Sequence, residues 1–482
     1  MRLFNYLEGI EFVHKGPLSL DMEISGVTSR SSSVRQGYIF VCIKGINTDG
    51  HLFACEAKRK GACLLVVEEE NECVLKSQLP YIKVENTRRV LSLMCAKHMG
   101  NPEKELKMIA VTGTNGKTST CRILTEIYKQ SCVNAESLGT LNGGLTTPDP
   151  EDLFRQLRTM FDRGVSTVVM EASSHALALE KLYGVKFQGG IFTNLTPEHL
   201  DFHNNMDEYA MAKAKLFMNT KWGLYNSDDK YYKKVSCLSK GLNYTYSLYG
   251  DSDFRVENLK NCGTQGFSYD LVVEGSKIKI TSCLSGIFNI YNTMAAASAA
   301  YLDNIDPYYI EKGVACVKGV TGRLEKLDLG NIPFSVYIDY AHSPDALEKV
   351  LNCIREFRSD DQKITVVFGC GGDRDRSKRR VMGQIASRLA DFVIVTADNS
   401  RSENTSDIIS EIMKGVDKER PHIVIENRKM AIEYAIENCS DNGIVLLCGK
   451  GHENYEIDKF GKRYFSEREI AADAVGKRFK KQ

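Results

Sequence analysis

Residues 107–124 read Lys107-Met-Ile-Ala110-Val-Thr-Gly113-Thr114-Asn115-Gly116-Lys117-Thr118-Ser119-Thr-Cys-Arg-Ile123-Leu124, and their reading decides the fold. An apolar run, Met108 to Val111, enters a glycine turn. A helix follows, on which Ile123, Leu124, Ile127 and Tyr128 share one face. Glycines let backbone N–H groups approach phosphate oxygens, and the helix start adds a partial positive charge. In the Gly-Lys-Thr context Lys117 is expected to reach the terminal phosphates and Thr118 to hold Mg²⁺. Gly113, Thr114, Asn115, Gly116 and Ser119 complete the expected phosphate cradle. Ala110 stands where the usual pattern begins with glycine. The alternative is an ordinary strand-to-helix turn; Gly-Lys-Thr at this position favours a nucleoside triphosphate.

Working outward, 482 residues suggest about three domains. Lys and Arg total 63 against 62 Asp and Glu, a net charge of +1. That balance argues against nucleic-acid or anionic-membrane binding. No run approaches the roughly 18 apolar residues of a membrane span, and the N-terminus lacks a secretory signal. The 15 cysteines are scattered without a C-x-x-C pair, as in a reduced, cytoplasmic protein. Residues 1–100 alternate short apolar runs (Tyr38 to Ile43, Ala62 to Val67) with turns such as Asn47-Thr48-Asp49-Gly50, a small mixed α/β domain. Over 101–322 strands alternate with helices: Thr167 to Met170, Gly190 to Thr193, a helix near Met206 to Asn219 and another at Asn289 to Leu302. This predicts a mostly parallel sheet, with a β-rich antiparallel stretch at 236–285. Beyond Gly322-Arg323, residues 323–482 carry apolar strands at Phe334 to Ile338, Ile364 to Phe368, Phe392 to Val395, His422 to Ile425 and Ile444 to Leu447. Between them Met382, Ile385, Ala386 and Leu389 fall on one helical face. The expectation is an α/β protein of three domains, with a central phosphate-loop ATPase and a C-terminal Rossmann-like, doubly wound domain.

Two residues follow as metal candidates. Glu171 ends the apolar strand Thr167 to Met170, where a carboxylate at a parallel sheet's C-terminal edge can meet a metal. His199 sits in His199-Leu-Asp201-Phe-His203, and histidine is a less usual Mg²⁺ ligand than oxygen. Lys213 shares a helical face with Tyr209, Leu216 and Phe217, while Lys215 lies off it. Such a lysine either snorkels to water or is buried with a depressed pKa.

Together these residues resemble a known family. Gly113-Thr-Asn-Gly-Lys-Thr, Glu171-Ala-Ser-Ser-His, Thr193-Asn-Leu, His199-Leu-Asp-Phe-His, Gly286-Ile-Phe-Asn289-Ile-Tyr-Asn292, Gly322-Arg323 and Asp339-Tyr-Ala-His342-Ser-Pro-Asp look like the Mur ligases. Gly369-Cys-Gly-Gly-Asp373-Arg374-Asp375, Asp398-Asn399-Ser-Arg401 and Gly449-Lys-Gly-His452-Glu453 look like the members that add the third amino acid. The resemblance implies a UDP-sugar domain, an ATPase and an amino-acid domain in that order. It also implies ligation of an amino acid to UDP-N-acetylmuramoyl-L-alanyl-D-glutamate through an acyl phosphate, with ATP and Mg²⁺, by a monomer acting on small molecules. Carried over by position, Lys117, Thr118, Glu171 and His199 serve phosphate and metal, and Lys213 matches a carbamylated lysine. Asn289, Asn292, Arg323, Asp339 and His342 close on ATP. Ser29, Thr146, Thr147, Ser174 and Lys181 contact the muramoyl peptide, with Thr28 where the family has Asp and Lys181 where it often has Arg. Asp49-Gly50-His51 supports a UDP-sugar site.

In this family Asp-Asn-Pro-Arg accompanies meso-diaminopimelate, and lysine-adding members lack the arginine. Here Arg401 is present and Ser400 replaces proline, so the loop loses a fixed φ. Arg379 lies at a helix start, where a cation is disfavoured unless an anion is near. Arg379 and Arg401 are therefore expected to clamp carboxylates of the amino acid, beside Asp398 and Asn399, with Gly449 and Glu453 on its distal ammonium. The alternatives are a lysine-adding ligase, an amide ligase on another acid such as a folyl-glutamate, and a non-catalytic nucleotide-binding relative.

Overall fold

A computed structural model of the chain describes residues 1–45, 48–142, 145–200, 202–262 and 266–479. Asn47 of the predicted turn and Asp201 of the histidine motif lie outside the described residues. Among the described residues three large sheets follow one another along the chain, each facing helices built from the predicted amphipathic runs, and Tyr455–Asp458 pairs with Gly461–Tyr464 as a separate two-stranded sheet. The first has strands in the order Val13–Lys15, Tyr81–Lys83, Ala62–Val67, Tyr38–Val41, Gly26–Thr28, parallel except for the first pair.

The central sheet has nine strands. Its parallel core places Lys107–Thr112 between Phe187–Phe192 and Thr167–Glu171, with Ala135–Leu138 at the edge. The helix Lys117–Gln130 buries Ile123, Leu124, Ile127 and Tyr128, all 0% exposed. Each such side chain stabilises the fold by roughly 1.5–3 kcal/mol relative to exposure. Against it packs Ile287–Leu302, whose run of alanines lets two helices approach closely. The predicted antiparallel stretch needs correction in part. Phe254–Asn261, Phe267–Val273 and Ser276–Ser282 pair antiparallel, but Leu242–Ser247 pairs parallel to Thr220–Asn226. The intervening helix Tyr232–Ser236 supplies the crossover that parallel pairing requires. The helix at Met206 also ends earlier than its periodicity suggests: it is α-helical to Ala214 and tightens to 3₁₀ over Lys215–Asn219.

The last sheet runs Glu325–Lys326, Ser335–Asp339, Ile444–Cys448, Ile364–Phe368, Phe392–Val395, His422–Val424. All pairs are parallel except the first. Ile444–Cys448, the last of these strands along the chain, inserts between Ser335–Asp339 and Ile364–Phe368, so the loops after Asp339, Phe368, Val395 and Cys448 gather at one edge. In open α/β sheets that carboxyl edge is where ligands bind. Helix Ser377–Leu389 turns Met382, Ile385, Ala386 and Leu389 to the core as expected.

Leu446 lies in the strand at the middle of this sheet and is fully buried. Leu446→Ala is expected to cost about 2–5 kcal/mol, read as a lower urea midpoint for the C-terminal sheet's unfolding transition.

Candidate active site

The loop after Lys107–Thr112 is shaped by its neighbours. A Cβ on Gly113 would overlap Thr193 Oγ1, and one on Gly116 (φ +87°) would overlap Asn292 Oδ1. Thr193 Oγ1 donates to Asn115 O at 2.6 Å, and Asn194 Oδ1 accepts from Asn115 N at 3.0 Å. Thr193 and Asn194 thus hold the loop open from the next strand end. They were visible in the sequence only as part of a motif, with no role read from them. Lys117 Nζ donates to Gly113 O and Thr114 O at 2.9 and 2.8 Å, folded over its own loop. Asn115, Gly116, Thr118, Ser119, Asn292 and Arg323 border a cleft of about 270 Å³. Asn289 stands behind Asn292, whose amide donates to it at 3.0 Å.

Beside the cleft Thr118 Oγ1 donates to Glu171 Oε1 at 3.0 Å, and Thr140 N donates to the same oxygen at 2.9 Å. Both Thr118 and Glu171 are buried. A hydroxyl and a carboxylate in contact are the oxygen donors that Mg²⁺ prefers, so the residues present fit that ion. Burial holds the His199 imidazole down to about 4, against the pull of Glu198. A neutral ring keeps a lone pair for a metal. Glu198, which sequence reasoning missed, lies 3.9 Å from His199 Nε2 and 3.0 Å from His342 Nε2. Burial raises its carboxyl pKa, but the hydrogen bond and charge of His342 outweigh that and leave it lowered.

Lys213 does not snorkel. It is 1% exposed, its ammonium lies 4.5 Å from the Tyr209 ring centroid, and burial together with Lys117 drives its pKa well below the usual lysine range. Burial therefore disfavours the charged ammonium.

The C-terminal sheet contributes from across the cleft. Asn115 Nδ2 donates to Asp345 Oδ2 at 2.9 Å, and Arg323 Nη2 to Thr118 Oγ1 at 3.3 Å. Asp339 is buried and accepts from Leu324 N at 2.6 Å and Ala341 N at 2.8 Å, fixing the turn that presents His342. Arg323 lies 4.7 Å from the Tyr340 ring centroid, and Tyr340 OH donates to Glu453 Oε1 at 3.5 Å. Glu453 Oε2 accepts from Asn399 Nδ2 at 2.9 Å. The amide orientation of Asn399 is set by Lys450, a buried cation whose Nζ donates to Asn399 Oδ1 at 3.0 Å. Burial raises the Asp398 carboxyl, and the charges of Lys450 and Arg428 more than reverse it. Gly449, at φ +116°, leaves Asp398 room that a side chain would fill. Arg401 holds Gly372 O through Nη1 at 2.8 Å and is partly exposed at this edge.

Arg379 is a correction. Its side chain is 0% exposed, with Nη1 donating to Glu403 and Glu411 at 3.0 and 2.9 Å and Nη2 to Glu403 at 2.9 Å. The anion that its helix-start position demands is supplied by the fold itself, so the fork is not offered to a ligand. His51 is a second correction. It is fully buried, with Nδ1 on Asp49 Oδ1 at 2.6 Å and Nε2 accepting from Glu68 N at 3.2 Å. Both ring nitrogens are engaged within the protein, so His51 braces its own loop.

The expected muramoyl-peptide residues lie along one seam. Thr147 Oγ1 donates to Glu171 O at 2.8 Å, Thr146 accepts from Thr140 at 3.3 Å, and Ser174 is buried at the next helix start. Ser29 N donates to Glu151 Oε1 at 2.8 Å, Thr28 Oγ1 to Glu151 Oε2 at 2.9 Å, and Lys181 Nζ meets Asp149 at 2.7 Å. Carboxylates of one segment therefore occupy both Ser29 and Lys181.

The Arg379 hydrogen bond holds the Glu403 carboxyl down to about 2 from its ordinary 4.5. Between those values the unfolded chain binds more protons, so the pair's contribution is full above pH 4.5 and lost as pH falls to 2. Glu403→Gln is expected to cost about 1–3 kcal/mol at neutral pH and to flatten the acid limb of a stability-against-pH curve.

Comparison with known proteins accords with this geometry. The domain family described as Mur ligase family, catalytic domain, matches residues 23–99; Mur ligase middle domain matches 111–300; Mur ligase, glutamate ligase domain, matches 322–451. The UDP-N-acetylmuramoyl-L-alanyl-D-glutamate--2,6-diaminopimelate ligase of Syntrophomonas wolfei is 37% identical, covering 98% of this chain and 99% of its own. The protein of that name from Clostridioides difficile is 38% identical over 99% and 100%. A solved structure of a ligase of the same name is 28% identical, covers 99% of this chain and 100% of its own, and superposes with a TM-score of 0.69. The MurF ligase of Thermotoga maritima, solved in complex with ADP, shares the fold at 18% identity and a TM-score of 0.61, over 94% of this chain and 97% of its own. With three matched domains in this order and likeness sustained along its length, the chain belongs to the Mur ligase family.

Proposed function

We propose that the protein is an ATP-dependent amide ligase that adds meso-2,6-diaminopimelate to UDP-N-acetylmuramoyl-L-alanyl-D-glutamate, the third-residue step of peptidoglycan synthesis. One observation carries the reading. Thr118, Arg323, Tyr340, Glu453 and Asn399 form an unbroken line of contacts from the phosphate loop to the loop bearing Arg401. A γ-phosphate and an amino acid bound at its two ends would meet between them. Full-length likeness to ligases named for this reaction supports the same reading.

In this reading a carboxylate oxygen of the glutamyl residue attacks the γ-phosphorus, and the bond to ADP breaks. The amine nitrogen then attacks the acyl carbon of the resulting acyl phosphate. The C–O bond to phosphate breaks, and the nitrogen gives up a proton. Lys117 swings from its loop carbonyls onto phosphate, and Arg323 adds charge from the opposite wall. Thr118, Glu171 and His199 would hold Mg²⁺, which when bound supplies positive charge to the phosphates. Lys213, as a neutral amine, can add carbon dioxide and release a proton, becoming an anionic carbamate. Asn292 faces the adenine side, and Asp339 and His342 close the wall. Ser29, Thr146, Thr147, Ser174 and Lys181 take the muramoyl peptide, whose anionic groups compete with Asp149 and Glu151. Arg401 holds the distal carboxylate of diaminopimelate and Glu453 its ammonium.

Domain limits of 1–100, 101–322 and 323–482 suit this division of substrates. We also propose that it acts as a monomer. The 15 cysteines are free, as in the reducing cytoplasm, and among the described residues no helix is long and apolar enough to cross a membrane.

The test is phosphate release by purified protein given ATP, Mg²⁺, the UDP-muramoyl dipeptide and a panel of amino acids. Diaminopimelate should exceed lysine by about 10–100-fold, the worth of a charge-assisted hydrogen bond, and Arg401→Ala should erase the difference. Release with lysine alone would reject the specificity; release with no amino acid would reject the activity.

A further inference from the structure

The two loops assigned to the amino acid leave different strands. Asp398-Asn399-Ser400-Arg401 follows Phe392–Val395, and Gly449 to Glu453 follows Ile444–Cys448. A single buried guanidinium joins them from beneath. Arg428 Nη1 donates to Ala397 O at 3.0 Å and Nη2 to Cys448 O at 2.6 Å. These are the carbonyls immediately before Asp398 and Gly449. Nε donates to Glu467 Oε1 at 2.8 Å. The Arg428 and Glu467 side chains are 0% and 1% exposed.

Its position is costly. Arg428 is the first residue of the helix Arg428–Glu437, where the helix dipole opposes a cation. Burying the charge adds a desolvation penalty that a hydrophobic pair would avoid. Glu467, at the start of the final helix, neutralises it but touches neither loop carbonyl. The fork geometry of arginine is needed because three acceptors in different directions must be met at once. Lysine could reach Glu467 or one carbonyl, not the set.

We propose that Arg428, held by Glu467, is a positioning residue for the amino-acid substrate. From beneath, and together with the bonds of Lys450 and Glu453 to Asn399 above it, it sets the separation of the Asp398–Arg401 loop from the Gly449–Glu453 loop, and so the span between the groups that grip the two ends of diaminopimelate. The inference rests on the ligase reading above. It assigns no contact between Arg428 and any substrate.

Arg428→Lys and Glu467→Gln test it, each assayed beside the wild type for all three substrates, with ADP binding as the check on folding. The expected result is a rise in KM for diaminopimelate on the order of 10–100-fold, the scale of a misplaced binding group. kcat and the KM values for ATP and the UDP-muramoyl dipeptide should stay within about twofold. Glu467→Gln should show the smaller effect, because the amide oxygen still accepts from Nε. Unchanged kinetics in both variants would overturn the proposal, as would a parallel rise in all three KM values. Loss of ADP binding in both would also overturn it, by making the pair a strut for the whole fold. A wild type inactive with every amino acid would instead refute the ligase reading and this inference with it.

Discussion

Close packing around the phosphate loop is the constraint on which the site depends. Gly113 and Gly116 lie so near Thr193 and Asn292 that neither tolerates a Cβ. Thr193 and Asn194 bond the loop from a neighbouring strand, and Asn292 closes it from the alanine-rich helix. The parallel core of the central sheet must be in register for these side chains to arrive together. Glu171 ends the strand on the other side and reaches Thr118 from there. Each contact is local, but none forms until three strands and two helices are packed.

The same edge-on logic organises charge. The chain is nearly neutral as a whole, yet its buried ions are grouped under loops. Arg428 and Glu467 lie below the loops that begin at Asp398 and Gly449, Lys450 beside Asp398, and Arg379 between Glu403 and Glu411. Buried pairs of this kind are weak sources of net stability but expensive to break singly. Here they act as fixed spacers between loops that leave separate strands. Lys213 is the exception, a buried lysine whose pKa is driven down by its burial and by the charge of Lys117.

Much of this was legible beforehand. Met108 to Val111, the glycine turn and the face of Ile123, Leu124, Ile127 and Tyr128 are short-range patterns, and the structure keeps them. The C-terminal strands and the face of Met382, Ile385, Ala386 and Leu389 were readable for the same reason. Strand direction near Leu242 was not, because it depends on a crossover helix whose apolar stripe is a single turn. Arg379 misled for a different reason: the anion that a helix-start cation needs was correctly inferred, but Glu403 and Glu411 lie 24 and 32 residues further on. Nothing in local spacing marks them as partners. The roles of Glu198 and Lys450 were hidden in the same way.

By itself the sequence determined that an α/β chain carries a phosphate loop, a second sheet of nucleotide-fold type and the residue types of an amide ligase. The loop and the sheet follow from periodicity and short spacing, which act within one element and its turn, and the ligase residues from the resemblance of the combined motifs to a known family. Tertiary structure alone decided which charged groups face the cleft and which are consumed inside the protein. It left Arg401 partly exposed at the sheet's carboxyl edge, spent Arg379 and His51 on internal partners, and buried Lys213 beside the Tyr209 ring. The reason is physical: whether an ion is ligand or strut depends on the opposite charge and the water left around it. Both are set by residues distant in the chain.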